Sequence, residues 1–471
     1  MNGPKILGYV AIVLGIFALW TWAFQYLEPL GVASWVYRPY FYDLFADFNA
    51  NQANLGTFIA LMPLVGLTTF FGVMALAVLE PTKQPKEFFT PSISIVIASK
   101  DEAPLLKRTL DSIVASDYPK DKMQVIVVTS NSSDGSEKFL EKYFTDHPSI
   151  DWLNLSEPLS KPGKPPALNY ALKSVKNDIL VLYDAGSILK VDTLKQLVTP
   201  LKDESIKAVQ GAIVVKNWDK NRLTRAILLD YAMISGGNMH FETVNKLGKN
   251  CWLYGRNMGV RMDVVRKFGG FDETSLTEDL YISSLMNAHG LRIKFVPTSK
   301  VYEIVPSEWK ILQKQRTRWV GGFTGDIPKL LQLKVDGKPA GPKEMLGRFL
   351  SMQFLGNISI WSTIALIFVG VYAAFLEFYL LGWAALCYLF MGIWIVGSIK
   401  RYCEGNAKGL LSFGTVIKIH AFMMGLSTHL PKVISWEQTP QLLSMSKEEI
   451  TDLANDDSIL VSSPQKAIAA T

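Results

Sequence analysis

Cysteine is nearly absent. The three in the chain (Cys251, Cys387 and Cys403) include no Cys-x-x-Cys pair, which excludes a disulfide framework and a thiolate zinc site. Charge is also scarce, at 19% of the 471 residues against 49% hydrophobic, where an ordinary globular chain carries about a quarter charged. That balance excludes a disordered chain or a nucleic-acid coat. The shortage is local. Runs 6–27, 55–79, 349–376 and 378–399 contain no charged side chain at all.

Each run exceeds the roughly 20 apolar residues needed to cross a bilayer as a helix. The first could be a cleaved signal peptide, but it is long and lacks a small-residue cleavage site near its end, so a retained helix is expected. Runs 349–376 and 378–399, parted only by Glu377, read as a hairpin. The loop 28–54 has Arg38 against Glu28, Asp43 and Asp47, whereas Lys400, Arg401 and Lys408 follow the fourth run. The positive-inside rule then puts the central block in the cytoplasm and the loop outside, in a multi-pass plasma-membrane protein. Segment 410–431 is apolar but contains Lys418, His420 and His429, so it is a fifth helix, or a re-entrant or interfacial one. The net charge of +6 sits on the body, because beyond position 436 six carboxylates oppose only Lys447 and Lys466. A diffuse basic body suits membrane lipids or a phosphate-bearing substrate, not nucleic acid. The expected division is 1–80 (two helices and the outer loop), 81–310 (a soluble block), 311–348 (interfacial helices), 349–432 (membrane or re-entrant helices) and 433–471 (an acidic tail).

Within the soluble block, the run S-I-S-I-V-I-A-S at 92–99 is apolar and β-branched, and 124–129 and 179–183 repeat that character. Helical stretches alternate with them, which predicts an α/β doubly wound, mainly parallel sheet. Ligands bind such sheets beyond the carboxyl ends of the strands. The polar clusters 99–102, 130–134 and 184–187 all fall there, so they should converge.

The most specific signal is Gln315-Arg316-Thr317-Arg318-Trp319 followed by Gly321-Gly322. Upstream stand Thr277-Glu278-Asp279, then Asp184 at a strand end, then Lys161-Pro162-Gly163-Lys164 with Asn169. This order between apolar helices resembles the membrane-integrated family-2 glycosyltransferases, a group including polysaccharide synthases and ceramide glucosyltransferase, over roughly 55–440. The resemblance implies a GT-A nucleotide-sugar domain inserted between transmembrane helices, inverting the anomeric centre of a UDP-sugar. It implies Asp279 as the base, with Glu278 beside it, and Arg318 facing the diphosphate. Gln315 and Trp319 would lie near the acceptor. Lys161, Lys164 and Asn169 would hold the donor, and Lys100 and Glu102 would contact the nucleotide. Asp184 matches the first carboxylate of the family's metal motif, implying a divalent cation (magnesium or manganese).

Two positions depart from the pattern. Asp184-Ala185-Gly186 lacks the second carboxylate of Asp-x-Asp, so any ion should be weakly held. Ser130 stands where relatives carry an Asp, and Asp134 either takes over the nucleotide contact or caps a turn. Arg316 reads as a membrane-surface charge on the helix. The expected activity is transfer of a hexose or N-acetylhexosamine to a growing polysaccharide. The alternatives are transfer to a membrane lipid, a degenerate scaffold, or a transporter. Accessory subunits or homo-oligomers are possible partners.

Overall fold

A computed structural model describes residues 3–27, 52–82, 84–235, 237–348 and 378–428. The expected run 349–376, most of the loop 28–54 and the acidic tail lie outside the described residues.

Strand β1 (Ile93–Ala98) pairs in parallel with β2 (Met123–Val128), which pairs in parallel with β3 (Asp151–Leu155). On its other side β1 takes β4 (Ile179–Asp184), again in parallel. β1 and β2 are almost wholly apolar because they are buried along their length, the usual composition of buried parallel strands. Beyond β4 the sheet turns mixed. β7 (Met258–Arg261) runs antiparallel between β4 and β6 (Ile206–Val215), and β8 (Arg292–Glu303) pairs in parallel with β6. β5 (Ile188–Leu189) closes the eight-stranded order β3-β2-β1-β4-β7-β6-β8-β5. The reversal at β7 has a functional consequence. It brings the loop before β7 to the edge where β1, β2, β4 and β8 end.

The apolar helices pack on this domain. Helix Gln52–Leu79 lies along helix Phe378–Tyr402, and helix Gly3–Leu27 along the former. Glu242, buried in the sheet domain on helix Asn238–Lys246, ties them down. Its carboxylate accepts from Thr82 Oγ1 at 2.6 Å and Tyr402 Oη at 2.6 Å, and pairs with Arg401 and Lys246. Among the described residues, Ala407–Leu426 is long and apolar enough to cross a membrane, and Pro4–Ile16 and Gly66–Leu79 are shorter apolar helices. Helix Phe413–Thr428 packs against helices Arg222–Met233 and Trp309–Gly325, so one side of the ambiguous 410–431 segment faces protein. His420 is placed accordingly, at 2.7 Å from Asp230.

Candidate active site

The three polar clusters converge at the carboxyl edge of the sheet. Ala98 and Asp184 are register partners on β1 and β4. The loops after β1 and β2 are stitched together, since Asp101 accepts from the Ser133 amide at 2.6 Å and donates its own amide to Ser132 Oγ at 3.2 Å. Asp134 accepts from the amides of Ala103 at 2.8 Å and Ser136 at 3.1 Å. Of its two readings, this geometry is the turn cap.

A cavity of about 300 Å³ opens over this edge. Lys100, Glu102, Lys161, Lys164, Asp184, Glu278, Asp279, Gln315, Arg318 and Trp319 all line it. Asp134 and Asn169 do not. Asn169 instead bonds the loop before the Thr-Glu-Asp stretch, donating to Phe271 O at 2.8 Å and accepting from Phe271 N at 2.8 Å. In this structure it braces that loop and lies outside the cavity lining. Lys161 lies at the rim, 65% exposed and paired with Glu273 at 3.2 Å.

Glu278 and Asp279 occupy the first turn of helix Glu278–Ala288, behind Thr277. Burial first, then the neighbouring Asp279 charge, pushes the Glu278 carboxyl up to about 7. Burial also raises Asp279, opposed by the Lys164 ammonium. Gly255, at φ +66°, stands close by. A Cβ there would lie 3.0 Å from Asp279 Oδ2 and 3.2 Å from Lys164 Nζ, so the backbone approach needs glycine.

Gln315, Arg318 and Trp319 reach the cavity from helix Trp309–Gly325. Gly322 lets this helix abut the Thr-Glu-Asp turn, because a Cβ there would meet Thr277 Oγ1 at 2.8 Å. Arg316 corrects the surface expectation. Its side chain is fully buried, 3.1 Å from Asp230 and stacked over the Trp319 ring at 4.3 Å. Its guanidinium turns toward Asp230 in the protein interior, although Arg316, like Arg318, borders the cavity.

Several participants had no sequence signal strong enough to mark them. Arg256, from the loop before β7, lies 2.8 Å from Glu303 at the end of β8 and 3.8 Å from Asp184. Glu303 is pushed up to about 6, chiefly by burial. Asp230 and His420 form the floor beneath Arg316.

Residues 91–322 match the family described as "Glycosyltransferase like family 2". This segment is a family-2 glycosyltransferase domain. It is an enzyme fold with its sheet, its Thr-Glu-Asp turn and its Gln-x-x-Arg-Trp helix around one cavity. The glycosyltransferase domain is 31% identical over 246 residues to the probable glycosyltransferase YdaM of Bacillus subtilis, covering 51% of this chain and 57% of that protein. It is 25% identical over 263 residues to the beta-monoglucosyldiacylglycerol synthase of Trichormus variabilis, covering 55% of each. Against the poly-beta-1,6-N-acetyl-D-glucosamine synthase of Staphylococcus aureus it is 26% identical over 235 residues, with 49% and 54% covered. The chain thus spans little more than half the length of these relatives. Among solved structures, the fold is shared with the mannosyltransferase PcManGT of Pyrobaculum calidifontis, determined with GDP-Man and Mn²⁺. That likeness has a TM-score of 0.51 and 19% identity, over 79% of this chain and 97% of that one.

The residues of the glycosyltransferase domain fit a divalent ion poorly. Hard cations need several oxygen ligands. Here Asp184 already pairs with Lys164 and Arg256, and position 186 has no side chain to contribute. Among the described residues no group of three or more His, Cys, Asp or Glu could hold a metal.

Proposed function

We propose that this protein is a membrane-bound inverting glycosyltransferase that moves a hexose or N-acetylhexosamine from a UDP-sugar to a membrane lipid hydroxyl. The observation carrying the transferase reading is the single cavity that holds Asp279, Asp184, Lys164 and Arg318 together. Asp279 takes the proton of the acceptor hydroxyl as its oxygen attacks the anomeric carbon. The bond from that carbon to the diphosphate oxygen breaks, and its electron pair leaves with UDP. A raised carboxyl is a better base for a hydroxyl than an ordinary one, and burial supplies that at Asp279. Arg318 meets the charge that develops on the diphosphate, with a buried Nε that makes no hydrogen bond among the described residues. The nucleotide lies over the β1 and β2 loops, near Lys100, Ser130 and Asn131. The catalytic domain faces the cytoplasm of the plasma membrane, consistent with Lys400 and Arg401 ending the Phe378–Tyr402 helix.

The cavity wall favours lipid over polysaccharide as acceptor. Beyond the carboxylates it continues onto Phe70, Phe71, Met74, Trp394 and Met423, from apolar helices. Apart from the Trp394 indole these side chains offer no hydrogen bond to a sugar chain, whereas acyl or isoprenoid carbon buries well against them. Purified protein given UDP-[¹⁴C]glucose or UDP-[¹⁴C]N-acetylglucosamine, with dioleoylglycerol or an oligosaccharide primer, tests the reading. Label should enter the organic phase as a single-sugar lipid. Label in a polymer of rising size returns the polysaccharide reading, and no UDP release with any donor removes both.

A further inference from the structure

The relation between Asp184, Lys164 and Arg256 points to an unusual source of positive charge. Lys164 Nζ donates to Asp184 Oδ1 and, at 2.8 Å, to the Gly255 carbonyl, and Arg256 stands 3.8 Å from Asp184 Oδ2. Both cations line the cavity, with Arg318 beside them. The position where a second carboxylate would complete a metal motif is Gly186, and the nearest atoms to a Cβ built there belong to the Leu105 side chain, at 3.6 Å. Another buried carboxylate at this edge, Glu303, is held by Arg256 at 2.8 Å and Ser187 Oγ at 3.3 Å, while Glu278 and Asp279 line the cavity from the Thr-Glu-Asp turn. No free pair of oxygens faces the site from Asp184 or Glu303.

We propose that Lys164 and Arg256, with Arg318, do the work of a divalent ion on the diphosphate, so that donor binding and transfer proceed without metal. This rests on the nucleotide-sugar reading of the site. Arg256 thereby becomes a catalytic residue. As the bond between the anomeric carbon and the diphosphate oxygen breaks, the electron pair arrives on a phosphate oxygen facing fixed cations. Their placement costs no reorganisation at that moment. Arginine suits this better than lysine, because its planar fork can serve Glu303 and a phosphate oxygen together. The Gly255 carbonyl keeps Lys164 pointed inward whether or not Asp184 is engaged by the ligand.

The test is UDP binding by calorimetry to the full chain in detergent, in excess EDTA and in millimolar MnCl₂ or MgCl₂. The two affinities should agree within about threefold, a difference too small for a lost ionic contact. Arg256→Lys keeps a charge and limits the risk of stranding Glu303, and it should weaken UDP by about tenfold, the loss expected for a charge-assisted contact. Lys164→Gln should act in the same direction. Binding that requires Mn²⁺ or Mg²⁺ overturns the proposal while leaving the nucleotide site standing. Metal-free binding indifferent to both substitutions also overturns it. Absence of UDP binding in either buffer refutes the nucleotide site, and the proposal with it.

Discussion

Arg316 and Asp230 form an ion pair at 3.1 Å with both side chains sealed from solvent. Asp230 lies on helix Arg222–Met233, and its other oxygen meets His420 at 2.7 Å. One carboxylate therefore joins the Gln-x-x-Arg-Trp helix to the helix at Phe413–Thr428. Breaking a buried pair from one side strands the remaining charge, which costs about 3–5 kcal/mol. Arg316→Ala should lower the melting temperature and the detergent-solubilised yield. Arg318→Lys should leave both unchanged and reduce sugar transfer. Equal thermal stability for Arg316→Ala and the parent would show that the pair is not formed.

Asp279→Asn should retain UDP binding and lose transfer. The amide keeps the shape but cannot accept the acceptor proton, and removal of a positioned base costs about 100- to 10,000-fold. Single-turnover rates beside UDP calorimetry check this. Transfer within about threefold of the parent would dismiss Asp279 as the base.

Stability should depend on pH through Glu278. Its carboxyl is raised to about 7 in the folded protein from an ordinary value of 4.5. The folded state thus holds a proton that the unfolded state has released. The resulting stabilisation is complete below the ordinary value and is lost as pH rises toward 7. Melting temperature should fall across that interval in the parent and fall less in Glu278→Gln. A parent profile flat from pH 4.5 to 7 contradicts the shift. The acid limb of the transfer rate should also lie above the ordinary carboxylate range, because burial raises Asp279.

Gly322→Ala should separate two motifs without unfolding either. The added methyl would meet Thr277 side-chain atoms at 2.7 and 2.8 Å. The helix must shift away from the Thr-Glu-Asp turn, so Trp319 and Gln315 move relative to Asp279. We expect a fall in kcat larger than any change in donor KM, since a small displacement of reacting groups costs more in rate than in binding. Unchanged kcat would mean that the two elements accommodate each other freely.

The parallel half of the sheet was legible because β1, β2 and β4 are short apolar runs ending in polar clusters. That Asp279 and Arg318 share one cavity was legible from the family resemblance of their motifs. Arg316 was misread because a lone arginine on a helix reads as a surface charge until its partner is known. That partner is 86 residues away in the chain. Arg256 and Glu303 were missed for a related reason. Their meeting depends on β7 running against its neighbours, and no local pattern announces a strand reversal. The adjacency of Gly255-Arg256-Asn257 to a short strand was the available hint. Asn169 shows the converse, a residue with a family-like neighbourhood whose hydrogen bonds brace a loop.

Glu242 limits how far this catalytic unit can be moved from its setting. Its helix belongs to the segment matched by the family, yet Thr82, Arg401 and Tyr402 belong to flanking chain. Excising 91–322 would leave a buried carboxylate with Lys246 alone, at the seam where the apolar helices were removed. The domain therefore does not separate cleanly from the helices on either side of it. Any transplant must carry both flanking helices or replace Glu242.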